Sequence, residues 1–146
     1  MDYNESKQLN LMEQLPTTSA TFLLTRLIHQ YKHHERLVIA YDFDDTVRPY
    51  WGGNCDELCT LLRVAKRILN PYLIVYTCNP NHDKIRQFLD KEKIPYDSIN
   101  ENAPFINEDY ISGKLYYNLF LDDKAGLGEA ARALENLCYL VYNKII

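Results

Sequence analysis

The run Leu37-Val38-Ile39-Ala40-Tyr41 opens directly into Asp42, Asp44 and Asp45, with Thr46 and Val47 behind them. An apolar stretch rich in β-branched residues predicts an interior strand of a parallel sheet, and ligands of open α/β sheets bind outside the carboxyl ends of such strands. The acids therefore fall where an active site is expected. Asp42 and Asp44, two residues apart in extended chain, point to one side, and their like charges repel unless a cation lies near. Hard oxygen donors of this kind suit Mg²⁺, which keeps several waters and takes one or two carboxylates together with substrate phosphate. Asp45 faces away and reads as a cap or hydrogen-bond acceptor. A helix cap or an acidic turn would explain the same acids without chemistry, so the rest of the chain has to discriminate.

Two further strand ends carry polar groups. Tyr72-Leu73-Ile74-Val75-Tyr76-Thr77 predicts a strand ending in a hydroxyl, and Asn79-Pro80 offers a cap and a first-turn proline for the next helix. Lys114-Leu115-Tyr116-Tyr117-Asn118-Leu119-Phe120-Leu121-Asp122-Asp123 predicts another strand, entered by a lysine and left by two carboxylates.

Taken in this order, the D-x-D-x-T string at Asp42 to Thr46, the threonine at Thr77 and the lysine followed by Asp122-Asp123 resemble the motifs of the haloacid dehalogenase (HAD) superfamily. The resemblance implies that Asp42 attacks phosphorus and that Asp44 acts as general acid and base while its backbone carbonyl touches Mg²⁺. Thr77, with nearby backbone N–H groups, would hold a phosphoryl oxygen. Lys114 would neutralise the nucleophile and the transferring group. Asp123 would complete the metal site, and Asp122 would orient a metal-bound water or the lysine, although a small backbone shift would exchange these two roles. The short spacing from lysine to Asp-Asp resembles the deoxyribonucleotidase-like branch and its small capless relatives. Lys91 and Lys93 are alternatives to Lys114; both fall at the end of a predicted helix, where lysines commonly serve the helix dipole. Dehalogenases of the superfamily lack the second acid and its ATPases carry Thr there, so Asp44 points to phosphate-ester hydrolysis or phosphomutase chemistry.

The elements that must position these groups are short and regular. Phe22, Leu23, Leu27, Ile28 and Tyr31 predict an amphipathic helix from Thr18 to about His34. Its histidines, His29, His33 and His34, read as surface residues. After a turn over Arg48 to Gly53, Asn54 and Glu57 form a capping-box pattern for a helix to Leu69, buried along Leu58, Leu61, Leu62, Ala65 and Leu69. A helix from about Asn81 to Lys93, a short strand around Asp97 to Asn100 and a helix from Leu127 to about Tyr142 complete the chain. The expected fold is a Rossmann-like, doubly wound parallel α/β sheet, HAD-like and without a cap domain, over residues 17–146, with residues 1–16 as an N-terminal arm.

A chain of 146 residues with 47% hydrophobic content can bury about 70% of its unfolded surface in one core. The net charge of −4 argues against a general nucleic-acid-binding surface, while leaving room for a local basic patch. Cys55, Cys59, Cys78 and Cys138 lack metal-type pairing and read as reduced thiols of a cytoplasmic protein, Cys78 among them as a buried structural one. No signal peptide or membrane-spanning run is visible, so a soluble protein is expected.

The expected activity is a Mg²⁺-dependent phosphomonoesterase working through an aspartyl-phosphate on a nucleotide-like or exposed phosphate. Neither the substrate nor the oligomeric state is written in the residues. Without a cap the site is open, and specificity falls to loops: Arg48, Tyr50, Trp51 and Asn54 after the first strand, and Asn79, Asn81, His82, Asn100 and Asn102 at other strand ends. Two rivals remain. A phospho-accepting receiver domain has a different order of acids and threonine, and a non-catalytic HAD-like module would bind phosphate or protein with the same residues.

Overall fold

The computed structural model describes residues 19–107, 109 and 111–146, with the side chains of 19–21 left aside. The expectation of an N-terminal arm lies outside the described residues. Short apolar segments, almost continuously buried in the two central ones, produce four strands: β1 (Val38–Tyr41), β2 (Tyr72–Val75), β3 (Ser98–Ile99) and β4 (Leu119–Leu121). Among the described residues the helices are α1 (Ser19–His33), α2 (Asp56–Leu69), α3 (His82–Glu92) and α4 (Leu127–Tyr142). The strands pair in parallel in the order β3-β2-β1-β4. β1 is therefore flanked on both sides, and its four residues are fully buried, as an interior parallel strand requires.

The strand order reverses at β1, the topology of a doubly wound sheet, but the helices do not divide between its faces. Ile39, Tyr41, Leu73, Val75, Leu119 and Leu121 share one core with residues of all four helices, including Leu27, Leu62, Leu89 and Leu134. Val38, Ala40 and Ile74 on the other face meet Ala103, Ile106, Leu115, Tyr116 and Tyr117. Among the described residues the crossover from β3 to β4 carries no α-helix, and it lays these side chains across the second face. Successive residues of a strand point to opposite faces, which separates the two sets.

That crossover also corrects the expected strand from Lys114. Ladder pairing begins only at Leu119, opposite Ile39. Upstream, Tyr116 donates its N–H to Asn102 Oδ1 (2.8 Å), so this segment bonds to the crossover rather than to β1. Asn118 closes the sheet end with its side chain, accepting the Val38 N–H on Oδ1 at 2.7 Å.

Two helix starts differ from expectation for local reasons. The first helical bond of α2 runs from the Cys59 N–H to the Cys55 carbonyl, so Cys55 is the cap, and its side chain makes no capping bond. Asn54 accepts the Asp56 N–H instead (2.8 Å), and the capping box does not form. Asn79 accepts the Asn81 N–H at 3.0 Å, which moves the cap of α3 to Asn81, beyond Pro80. Phe22, expected in the core, is exposed beneath Arg26, while Leu24 and Leu27 are buried. Cys78 is exposed; Cys55, Cys59 and Cys138 are buried, and all four are free thiols. No helix of the described residues is long and apolar enough to cross a membrane.

Candidate functional site

Parallel register sets the site. Tyr41 lies opposite Leu121, and the Asp42 N–H continues the ladder to the Leu121 carbonyl at 2.9 Å. The chain therefore leaves β1 and β4 side by side, and carboxylate oxygens of Asp42, Asp122 and Asp123 lie within 4.8 Å of one another. Thr46, almost fully buried, ties the two strand ends together. Its Oγ1 accepts the Asp123 N–H at 3.2 Å and lies 3.4 Å from Asp42 Oδ2 and 3.3 Å from Asp123 Oδ1, one of which its single proton can serve.

Burial raises the Asp42 carboxyl from 3.8 to about 6; the Phe43 backbone N–H opposes the shift, and the charges of Asp122 and Asp123 add to it. Among the described residues no cation lies within ion-pairing distance of these three acids. A cluster of hard oxygen donors that repel one another without a counter-charge fits a divalent cation, which Asp42, Asp122 and Asp123 could hold.

Asp44 stands apart from the cluster. Its Oδ1 receives Arg48 Nη2 at 2.7 Å and Nε at 2.9 Å, and its Oδ2 lies 3.4 Å from Asn79 Nδ2. The turn is held by the backbone: Asp45 adopts a left-handed φ of 62°, donates its N–H to the Arg48 carbonyl at 2.7 Å, and accepts the Tyr50 and Trp51 N–H groups on Oδ1. Asp45 thus acts as a hydrogen-bond acceptor, as its position in the motif suggests.

Thr77, buried at the end of β2, accepts the Asn79 N–H on Oγ1 at 3.0 Å. Asn100, left-handed at φ 56°, clamps the backbone of Thr77 by accepting its N–H (2.9 Å) and donating to its carbonyl (2.8 Å). Asn100, itself exposed, thus braces the backbone just after β2.

The candidate lysines are placed by topology. α3 starts after Thr77 and runs back toward the entrance of β3, so Lys91 and Lys93 lie at the end of the sheet away from the acids. Lys114 sits two residues before Tyr116, whose N–H bonds Asn102 Oδ1 within the crossover. Lys114 is exposed and pairs with none of the described carboxylates within 4 Å. Sequence reasoning left Thr46 and the Arg48–Asp44 pair without a role. The threonine already stood in the D-x-D-x-T string, whereas nothing in the residue order marks Arg48 as the partner of Asp44.

Comparison with protein-family models, with curated proteins and with solved structures returns no match for this chain.

Proposed function

We propose that this protein is a Mg²⁺-dependent phosphomonoesterase of HAD type that forms an aspartyl-phosphate on Asp42. The observation that carries the reading is the convergence of Asp42, Asp122 and Asp123 at adjacent parallel strand ends, with Thr77 at the neighbouring one. Asp42, the Asp44 carbonyl and Asp123 would hold the metal, with Asp122 beside it, and the ion would offset negative charge on the phosphoryl group. An Asp42 oxygen forms the new bond to phosphorus as the bond to the ester oxygen breaks. Asp44 gives the departing alkoxide its proton. Oδ1 of Asp44 takes two bonds from Arg48, so Oδ2, 3.4 Å from Asn79 Nδ2, would carry that proton. Asp44 then takes a proton from water as the water attacks phosphorus, releasing phosphate and restoring Asp42. The Thr77 hydroxyl and Lys114 complete the electrostatic support.

Phosphate release from a panel of phosphorylated nucleotides, sugars, peptides and oligonucleotides, with Mg²⁺ and with chelator, tests the proposal. Asp42→Asn should lower turnover by at least about 10³-fold while leaving the fold intact. Turnover in that variant equal to wild type would overturn the assignment. Phosphate or protein binding with no release from any ester would favour the non-catalytic module instead.

A further inference from the structure

Trp51 is the single tryptophan of the chain, and it is 85% exposed beside Tyr50, which is 63% exposed. Large aromatic side chains left in water next to a polar site usually mark a contact surface. These two are held in place. One carboxylate oxygen, Asp45 Oδ1, accepts the Tyr50 N–H at 2.8 Å and the Trp51 N–H at 2.9 Å. The rings meet edge-on with centroids 5.4 Å apart, an arrangement that uses one ring face and leaves Trp51 a face open to solvent.

Their position relative to the chemistry is set by Arg48. Its guanidinium bonds Asp44 at 2.7 Å and lies 5.7 Å from the Tyr50 ring centroid, so one side chain separates the aromatic pair from the leaving-group acid. The residue that protonates the leaving oxygen marks the side on which the alcohol half of the ester lies. We propose that Tyr50 and Trp51 receive a planar ring carried by that alcohol half, and that Trp51 determines specificity for ring-bearing phosphate esters. Nucleotides and aryl phosphates share this chemistry. The inference rests on the phosphomonoesterase reading, since that reading supplies the role of Asp44. Stacking on an aromatic side chain tolerates any π-face and strengthens binding by about 5- to 100-fold.

Trp51 fluorescence reports stacking independently of turnover. In the Asp42→Asn variant with Mg²⁺, adenosine 5′-monophosphate and phenyl phosphate should each quench emission saturably, and ribose 5-phosphate and glycerol phosphate should not. The first two probes distinguish a nucleobase from a simple aryl ring. By calorimetry, Trp51→Ala should weaken adenosine 5′-monophosphate binding about 5- to 100-fold relative to ribose 5-phosphate, and Trp51→Phe should restore most of the difference. In the otherwise native enzyme, Trp51→Ala should lower kcat/KM for ring-bearing esters by the same factor relative to glycerol phosphate, mainly through KM. Phosphate release without selective quenching, or with an unchanged ratio in Trp51→Ala, would overturn the platform and spare the enzyme. Selective quenching without release from any ester would support the platform and overturn the enzyme.

Discussion

The turn after β1 and the segment leading into β4 both carry charged residues proposed for the site, yet they are built differently. From Asp42 to Arg48 the chain is closed by its own hydrogen bonds, with the Val47 and Arg48 N–H groups on the Phe43 carbonyl and the Asp45 N–H on the Arg48 carbonyl. The segment at Lys114 shows no such closure among the described residues; it is exposed, follows Gly113 at φ 67°, and is anchored two residues later by Tyr116. A functional group on a self-closed turn is preorganised, while one on a crossover depends on what that crossover meets. Preorganised acids should therefore account for more of the rate than the lysine does.

The largest effect expected from the closed turn, apart from loss of the nucleophile, is at Asp44. Asp44→Asn should slow hydrolysis of an ester with a poor leaving group by about 10²–10⁴-fold, and less for an activated aryl ester that needs no proton. Equal losses on both esters would remove the general-acid role. On the crossover side, Lys114→Met should cost about 10²-fold in kcat, whereas Lys91→Met and Lys93→Met should leave kcat nearly unchanged. A larger loss at Lys91 or Lys93 would break the topological placement of the lysine.

Metal binding sharpens the same contrast through stability. A cation held at a hundredfold excess over its Kd stabilises the folded state by about 2.7 kcal/mol. Mg²⁺ should raise the melting temperature of the wild type by several degrees, and Asp123→Ala should lose more of that rise than Asp122→Ala. Equal rises in the wild type and both variants would place the ion elsewhere.

Solvent screening of the partly exposed Asp42 makes the pH dependence without divalent cations the smallest effect. The Asp42 carboxyl titrates at about 6 in the folded protein against an ordinary 3.8, so folding favours its protonated form. That contribution to stability is complete below about pH 4 and is lost as pH rises through about 6. Melting curves in chelator from pH 4 to 7 should show the wild type losing stability relative to Asp42→Asn. Parallel curves for the two proteins would show that Asp42 does not titrate in this range.

Much of the frame was legible because it is written locally. The apolar runs at Val38 and Tyr72 produced β1 and β2, and the periodic stripe through Leu134 and Leu137 produced α4 with the expected bounds. Asp42, Asp44, Thr77 and Asp122-Asp123 stood out as candidates by their positions at strand ends, which any extended run followed by polar residues reveals. Errors came where two local signals competed. Asn54 and Asn79 each bonded a backbone N–H two residues on, forming turns where helix caps were expected. The Lys114 run contains strand-forming residues, but Leu115, Tyr116 and Tyr117 pack across the second sheet face instead of extending β4.

By itself the sequence determined most of the strands and helices, the run from Lys114 to Asn118 apart, and which strand ends carry acids and a hydroxyl, because hydrophobic period and turn chemistry act over a few residues. Tertiary structure alone decided that Asp42 meets Asp122 and Asp123, through the pairing of β1 with β4. It also decided that Thr46 joins the two strand ends and that Lys91 and Lys93 face the far end of the sheet. These relations link residues far apart in the chain, and only strand order and register bring them together.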